Sequence, residues 1–169
     1  GKKMFGSSYN TAFGYTAMTG DNGGIGGQNN AAFGQAALKA VSSASNVTAI
    51  GSGALADLTT GSQNTAVGSA AGRFMTTASD NVLLGMDAGK NITTGSFNVS
   101  IGKNTLSTNT TGTNNTIAGI NAGLTITGSS NVALGSNTCR GTSNNSGNNN
   151  TCVGTGALGS IAGGSENTA

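Results

Sequence analysis

A short segment recurs about every 17 residues along the chain, and this repeat limits the possible folds more than any other feature. Its clearest form is NTAVG, at residues 64–68, and variants such as NTAFG, NVALG and NTCVG occur before and after it. We use the glycine that ends each segment as its anchor. The anchors are Gly14, Gly34, Gly51, Gly68, Gly85, Gly102, Gly119, Gly135 and Gly154. Successive anchors lie 20, 17, 17, 17, 17, 17, 16 and 19 residues apart, which indicates stacked copies of one unit.

Residue types recur at fixed distances from the anchor. The position four residues before it is asparagine in every unit except one, where Val47 takes its place. The position directly before it is aliphatic or aromatic, as in Val67, apart from Ala118. A small residue such as Ala71 follows three residues after the anchor, and an apolar one such as Leu58 usually follows seven residues after it. Polar, apolar and small columns therefore run along the chain.

This pattern predicts an all-β fold. A period of 17 residues is too short for helix-pair repeats, and no heptad pattern is present. The residues before each anchor are β-branched or aliphatic, which is typical of short strands. We predict a parallel β-solenoid, or β-roll, of about nine 17-residue coils, with two or three strands per coil and one repetitive domain over residues 1–169. The absence of proline fits, because every coil must donate backbone N–H groups to its neighbour.

Glycine and asparagine are predicted to form the corners of the coils. Glycine accepts positive φ and lets two backbones approach closely. Asparagine tolerates the left-handed region, and its side-chain amides can stack into a ladder from coil to coil. The predicted turn and ladder residues are Asn64, Gly68, Asn81, Gly85, Asn98, Gly102, Asn115 and Gly119.

The thin coil indicates assembly with further copies of the chain. Each coil has only three or four small apolar side chains to bury, which is little against the backbone entropy lost on folding. We therefore predict a parallel homotrimer that buries residues such as Val67, Leu84 and Ile101 within or between coils. The alternative is a monomeric solenoid.

The units NTAFGYTAM, NTAVGSAAG and NVALGSNTC, followed by LTTGSQ or ITTGSF, resemble repeats of phage and algal-virus tail fibres or spikes. Such NTAxGxxAL and TTG repeats often precede a self-cleaving endosialidase-type chaperone. The NVxxIG core also resembles the β-roll head repeats of trimeric autotransporter adhesins. The likeness covers about residues 10–164, although the 17-residue coil is longer than the adhesin repeat and no chaperone or anchor segment is recognised. It implies a rigid, extracellular, trimeric fibre on a virion or bacterial surface, joined to neighbouring fibre segments.

The sequence offers little for catalysis or for cofactor binding. There is no histidine, so a Ser-His-Asp or Cys-His arrangement cannot be built. Asp80 and Asp87 are considered as a glycosidase pair or calcium site, but they do not recur in the next coil and are interpreted as solvated surface groups. The glycine-rich segment at residues 23–27 lacks the Lys-Ser/Thr of a phosphate loop and is interpreted as a flexible loop. We predict a protein that is not an enzyme, without metal or cofactor.

Charge and hydropathy argue against two classes of partner. The formal net charge is +2 and the basic residues are scattered, so no patch for nucleic acid is predicted. No apolar run approaches the roughly 20 residues that span a bilayer, so no membrane insertion is predicted.

Cys139 and Cys152 lie thirteen residues apart in adjacent units and in different columns, so direct stacking is not expected. The extra residues between them leave two alternatives, a disulfide or two thiols packed as small hydrophobic groups.

Two functions are compatible with this repeat. One is a structural shaft that holds a receptor-binding tip away from a particle or cell for attachment to a host or surface. The other is direct binding of cell-surface glycans, or of ice, by outward polar ranks. The clearest rank is formed by Thr59, Thr60, Thr76, Thr77, Thr93, Thr94, Thr110 and Thr111. We prefer the shaft, because the rank is not continued in the last units.

Overall fold

The computed structural model of this chain describes residues 9–20, 24–141, 146–159 and 164–169. Nine three-residue strands form one parallel sheet and follow one another in chain order. The strands are β1 (Thr11–Phe13), β2 (Ala31–Phe33), β3 (Thr48–Ile50), β4 (Thr65–Val67), β5 (Val82–Leu84), β6 (Val99–Ile101), β7 (Thr116–Ala118), β8 (Val132–Leu134) and β9 (Thr151–Val153). The described residues contain no helix. The prediction of an all-β parallel solenoid with coils of about 17 residues is confirmed, and the solenoid has about eight turns.

Each coil contributes one strand to the sheet, not the two or three that we predicted. The rest of the coil consists of turns, because positive φ recurs at four positions in the unit. In the unit of Gly85 these are Asp80 (58°), Gly85 (134°), Asp87 (56°) and Gly89 (57°). Positive φ takes the backbone out of the β region, so a strand ends wherever it occurs. The last of these positions is leucine in other units, as in Leu55 (49°), and its residue type therefore did not reveal a bend.

Backbone hydrogen bonds join neighbouring coils on the sheet and on the turns. At the start of β4, Thr65 N–H donates to Asn81 O over 2.8 Å. On the opposite part of the coil, Thr59 N–H donates to Thr76 O over 2.9 Å. The strands also keep their register across the irregular units, since Ala12 is paired with Ala32. The differences in unit length therefore fall outside the strands.

The core is a thin column of apolar side chains enclosed by the coils. Because strand residues alternate, the middle residues of β2 to β9 point inward. Ala66 and Leu83 are fully buried, whereas Val67 and Ile101 end their strands and are 37% and 42% exposed. Leu84 is half-buried. Of the two predicted placements of Val67, Leu84 and Ile101, within or between coils, burial within the coil is therefore excluded, because the buried asparagine at the head of each strand fixes the opposite alternation. Their burial between chains stays a prediction.

Large and small residues compensate one another inside the core. Leu83 lies between Gly72 and Gly89, which both stand four residues after an anchor. A Cβ added at Gly72 would be 2.7 Å from Leu83 Cδ1, and one at Gly89 would be 2.7 Å from Leu83 Cδ2. One coil before Gly72, the equivalent position is occupied by the large Leu55. The middle residue of the strand that follows Leu55 is the small Ala66. The core thus keeps its volume rather than its residue types.

Candidate functional surfaces

The asparagine column forms a buried ladder of side-chain amides. Asn64, Asn81, Asn98 and Asn115 are fully buried. The backbone N–H and Nδ2 of Asn98 both donate to Asn81 Oδ1, over 2.9 and 3.1 Å, and Nδ2 also donates to Gly112 O over 3.0 Å. Asn115 makes the same pair of bonds to Asn98 Oδ1, each 3.0 Å long. These amides bind the solenoid itself and present nothing to a ligand.

The anchor glycines lie where the backbones of neighbouring coils touch. The φ values of Gly68, Gly85, Gly102 and Gly119 lie between 126° and 141°. A Cβ added at Gly85 would be 2.5 Å from Gly102 O, and one at Gly102 would be 2.6 Å from Gly119 O. Glycine is therefore required both by backbone conformation and by space. The predicted turn residues are structural parts of the coil.

The outward residues of the sheet form a continuous uncharged strip along the solenoid. We call the first and last residues of β1 to β9 the sheet face; all of them are threonine, alanine, valine, leucine, isoleucine or phenylalanine. Phe13, Ile50 and Val153 are 76%, 40% and 56% exposed. With a spacing of about 4.8 Å between strands, the strip is roughly 38 Å long. An exposed apolar surface of this length is typical of an interaction site.

More large apolar residues border the sheet face. Phe97 lies beside it before the asparagine column, and Met86 and Ile120 lie beside it after the anchors; all three are exposed. Among the described charged residues, Asp80, Lys103 and Glu166 occupy the same bordering columns. The other basic residues that the structure describes stand five residues after an anchor, on another side of the coil. They are Lys39, Arg73, Lys90 and Arg140.

The threonine pairs lie at a bend and do not form two equal columns. The inner hydroxyls are used within the solenoid, because Thr59 Oγ1 donates to Thr76 O (2.9 Å) and Thr76 Oγ1 to Thr93 O (3.2 Å). Thr93 continues this chain to Thr110 O (3.0 Å). The outer residues are exposed, namely Thr60, Thr77, Thr94 and Thr111. The rank therefore presents one outward column over four coils.

A groove of 280 Å³ crosses three consecutive coils after their anchors. We call it the three-coil groove. It is lined by Gln35, Ala36, Lys39, Ser52, Gly53, Ala56, Asp57, Ser69, Ala70 and Arg73. Sequence reasoning did not identify it, although its charged residues stand at nearly the same distance from their anchors and this spacing could have shown that they share one wall.

The structure does not bring Asp80 and Asp87 into one site. They lie before and after β5, and the Asp87 carboxylate forms an ion pair with Lys90 Nζ at 3.1 Å. Across the described residues, no group of three or more His, Cys, Asp or Glu side chains could hold a metal ion.

The glycine-rich segment at residues 23–27 begins outside the described residues, since Gly23 is not among them. The described remainder, 24–27, is part of a coil. Ile25 is 4% exposed, and Gly26 N–H donates to Ser42 O over 2.6 Å. Residues 24–27 are therefore packed and hydrogen-bonded to the next coil, and the interpretation of the segment as flexible stays a prediction.

Cys139 and Cys152 form a disulfide across the core, with their Cα atoms 5.8 Å apart. Both residues are fully buried. Cys139 stands four residues after its anchor and Cys152 is the middle residue of β9, so the two occupy the columns in which Gly72 faces Leu83. These columns do not stack on one another, but they meet across the solenoid, and the sequence pattern alone did not show this.

None of the described residues belongs to a helix that could cross a membrane. The chain matches no protein-family model, no curated protein and no solved structure.

Proposed function

We propose that this chain is a non-enzymatic shaft segment of a homotrimeric fibre outside the cell, on a virion or a bacterial surface. In this proposal three copies pack their sheet faces around a common axis. The fibre joins neighbouring segments and presents a receptor-binding tip for attachment to a host or surface. The observation that carries the proposal is the sheet face, an apolar strip without charge on an otherwise polar molecule.

The geometry of the sheet face favours parallel packing of identical chains. Its rungs repeat at one spacing, so each coil can meet the same coil of its partners. Phe33 then meets Phe33, Ile50 meets Ile50 and Val67 meets Val67, at successive levels along the axis. Burial of these side chains would remove the exposed apolar groups of the sheet face from water, and each aliphatic group would contribute about 1 kcal/mol or more.

The interior supports a mechanical role. Its repeated features are hydrogen-bonded amides, close backbone contacts and a filled core, and repetition of such features produces stiffness rather than a reactive site. Catalysis needs a distinct set of polarised groups at one place. The paired Asp87 and the separate Asp80 do not form such a set.

Sedimentation equilibrium of the purified chain tests the proposal. The expected mass at micromolar concentration is three times 16.2 kDa. Replacing Val67 and Ile101 together by aspartate places carboxylates in the contact and is expected to give monomers. The milder pair Val67→Thr and Ile101→Thr, which keeps β-branched residues in the strands, is expected to weaken assembly without unfolding the coil.

Thr60→Asp with Thr94→Asp is the matched control, because it adds the same charges at the bend, away from the sheet face. This control is expected to remain trimeric. A stable folded monomer of the unmodified chain at micromolar concentration would refute the proposal. A dimer that the Val67 and Ile101 variants dissociate would refute only the threefold arrangement.

A further inference from the structure

The three-coil groove owes its shape to one column of small residues. Two residues after the anchors stand Ala36, Gly53 and Ala70, and these form the groove floor in three successive coils. In the next coil Asp87 occupies the same position and pairs with Lys90 at 3.1 Å. The groove therefore ends where a charged and internally paired residue replaces the small ones.

The charged groups of the groove are not paired with one another, unlike Asp87 and Lys90. Lys39, Asp57 and Arg73 line one wall, all three are exposed, and no salt bridge joins any of them to another described residue. The Arg73 guanidinium lies 5.4 Å from the centre of the Phe74 ring, which supports it from one side.

The opposite wall is polar and uncharged. Gln35, Ser52 and Ser69 stand directly after the anchors and are exposed. Their backbone carbonyls accept hydrogen bonds from neighbouring coils; for example, Ser52 O accepts from Ala70 N–H over 2.9 Å. Within the described part of the chain their side chains make no hydrogen bond, so the amide and hydroxyls remain for a ligand.

We propose that the three-coil groove binds a carboxylated saccharide. Lys39 and Arg73 stand two coils apart, about 10 Å along the axis, and each can hold a carboxylate. Asp57 lies between them and accepts hydrogen bonds from sugar hydroxyls. A chain of phosphates would place an anion against Asp57, whereas a saccharide alternates carboxylates with hydroxyls and matches the order of charges. Gln35 and the serines donate to the ring and hydroxyl oxygens.

Titration calorimetry of the whole chain with oligogalacturonate, oligoalginate and oligosialic acid tests the proposal. We expect one of these to bind, and its methyl-esterified form, which keeps the sugar but loses the charge, to bind at least about tenfold more weakly. Lys39→Gln with Arg73→Gln is expected to reduce the affinity by a similar factor. Ala70→Asn is expected to fill the groove and abolish binding, and the fold should tolerate it because Asn104 and Asn121 occupy the same column with φ values of 56° and 54°.

Lys103→Gln is the matched control, since it removes an exposed positive charge outside the groove and is expected to leave binding unchanged. No binding of any of the three acids at millimolar concentration would overturn the proposal. An equal loss with Lys103→Gln, or equal affinity for the methyl esters, would also overturn it by showing general charge attraction or no recognition of the carboxylate. The mass of the assembly, measured in the same samples, reports separately on the trimeric shaft.

Discussion

In the asparagine column one residue recurs from coil to coil, whereas in the core column of middle strand residues leucine, serine, isoleucine or cysteine replaces alanine at four of the nine levels. Asn81 and Asn98 each accept from one neighbour and donate to the other, so an unbroken ladder needs side chains that can do both. Leu83 and its facing glycines, Gly72 and Gly89, only have to fill a volume together. Columns held by hydrogen bonds or by backbone contacts therefore require one residue type. Packed columns require only that their side chains together fill a constant volume.

The largest loss of stability is expected at the anchor glycines, where no other residue type fits. Gly85→Val adds a side chain at a φ of 134° and places Cβ 2.5 Å from Gly102 O, so neither the backbone nor the neighbouring coil can accommodate it. We expect the free energy of unfolding to fall by more than about 4 kcal/mol, measured by chemical denaturation, with little folded protein recovered.

Gly53→Ala is the control for that experiment. Gly53 also has positive φ (68°), but an added Cβ would meet nothing within 4 Å, and Ala36 and Ala70 hold the same column at 55° and 56°. We expect a change of less than about 1 kcal/mol. If both glycine variants lost the same stability, the distinction between contact columns and open columns would be wrong.

The fold was predictable because the columns that require one residue type give the strongest pattern in the sequence. The regular return of asparagine and of the anchor glycines fixed the period, and the period with β-branched neighbours fixed the solenoid. The bends at Asp80 and Asp87 were not predictable, because the same columns hold Phe97 (61°) and Ala70 (56°), residue types that rarely adopt positive φ.

The candidate surfaces were less predictable, since they depend on which face of a strand points inward. The repeat pattern left open whether the apolar residues before the anchors lie within or between coils. The buried asparagine sets the alternation, and Val67 faces outward while Ala66 faces inward. The disulfide between Cys139 and Cys152 stayed one of two alternatives because it joins two columns across the core, and a repeat pattern shows only which residues stack.

The second largest loss of stability is expected in the core, where large and small side chains compensate for one another in volume. Leu83→Ala removes a fully buried side chain and is expected to cost about 3 kcal/mol, by chemical denaturation. Gly89→Leu alone is expected to destabilise as well, because an added Cβ would lie 2.7 Å from Leu83 Cδ2 and 2.9 Å from Ile92 Cδ1.

The double variant Leu83→Ala with Gly89→Leu reproduces the pair Ala49 and Leu55, which occupies the same two positions two coils earlier. Leucine is suited to this position, since Leu55 has a φ of 49° and Gly89 one of 57°. We expect the double variant to be more stable than either single variant, with a coupling energy of about 2 kcal/mol. Additive losses would show that the core does not conserve volume in this way.

The smallest effect is expected at Val47, where the asparagine column is broken. Val47 N–H donates to Asn30 Oδ1 over 3.0 Å, but valine offers no oxygen to the backbone N–H of Asn64, which has no acceptor among the described residues. Val47→Asn would supply that acceptor, and its Nδ2 would lie near Gly61 O, as Asn81 Nδ2 lies 3.1 Å from Gly95 O. These new bonds outweigh the lost burial of valine, because they also satisfy a buried donor.

We expect Val47→Asn to raise the free energy of unfolding by about 1 kcal/mol and the melting temperature by about 3 °C. Leu38→Asn is the matched control, since Leu38 is equally buried but lies outside the ladder, in the column of Leu55 and Gly72. This control leaves a buried amide without partners and is expected to destabilise by about 3 kcal/mol. If the two variants were equally destabilised, an amide would have no more value at position 47 than at a packed position. The distinction between the ladder and the packed columns would then be wrong.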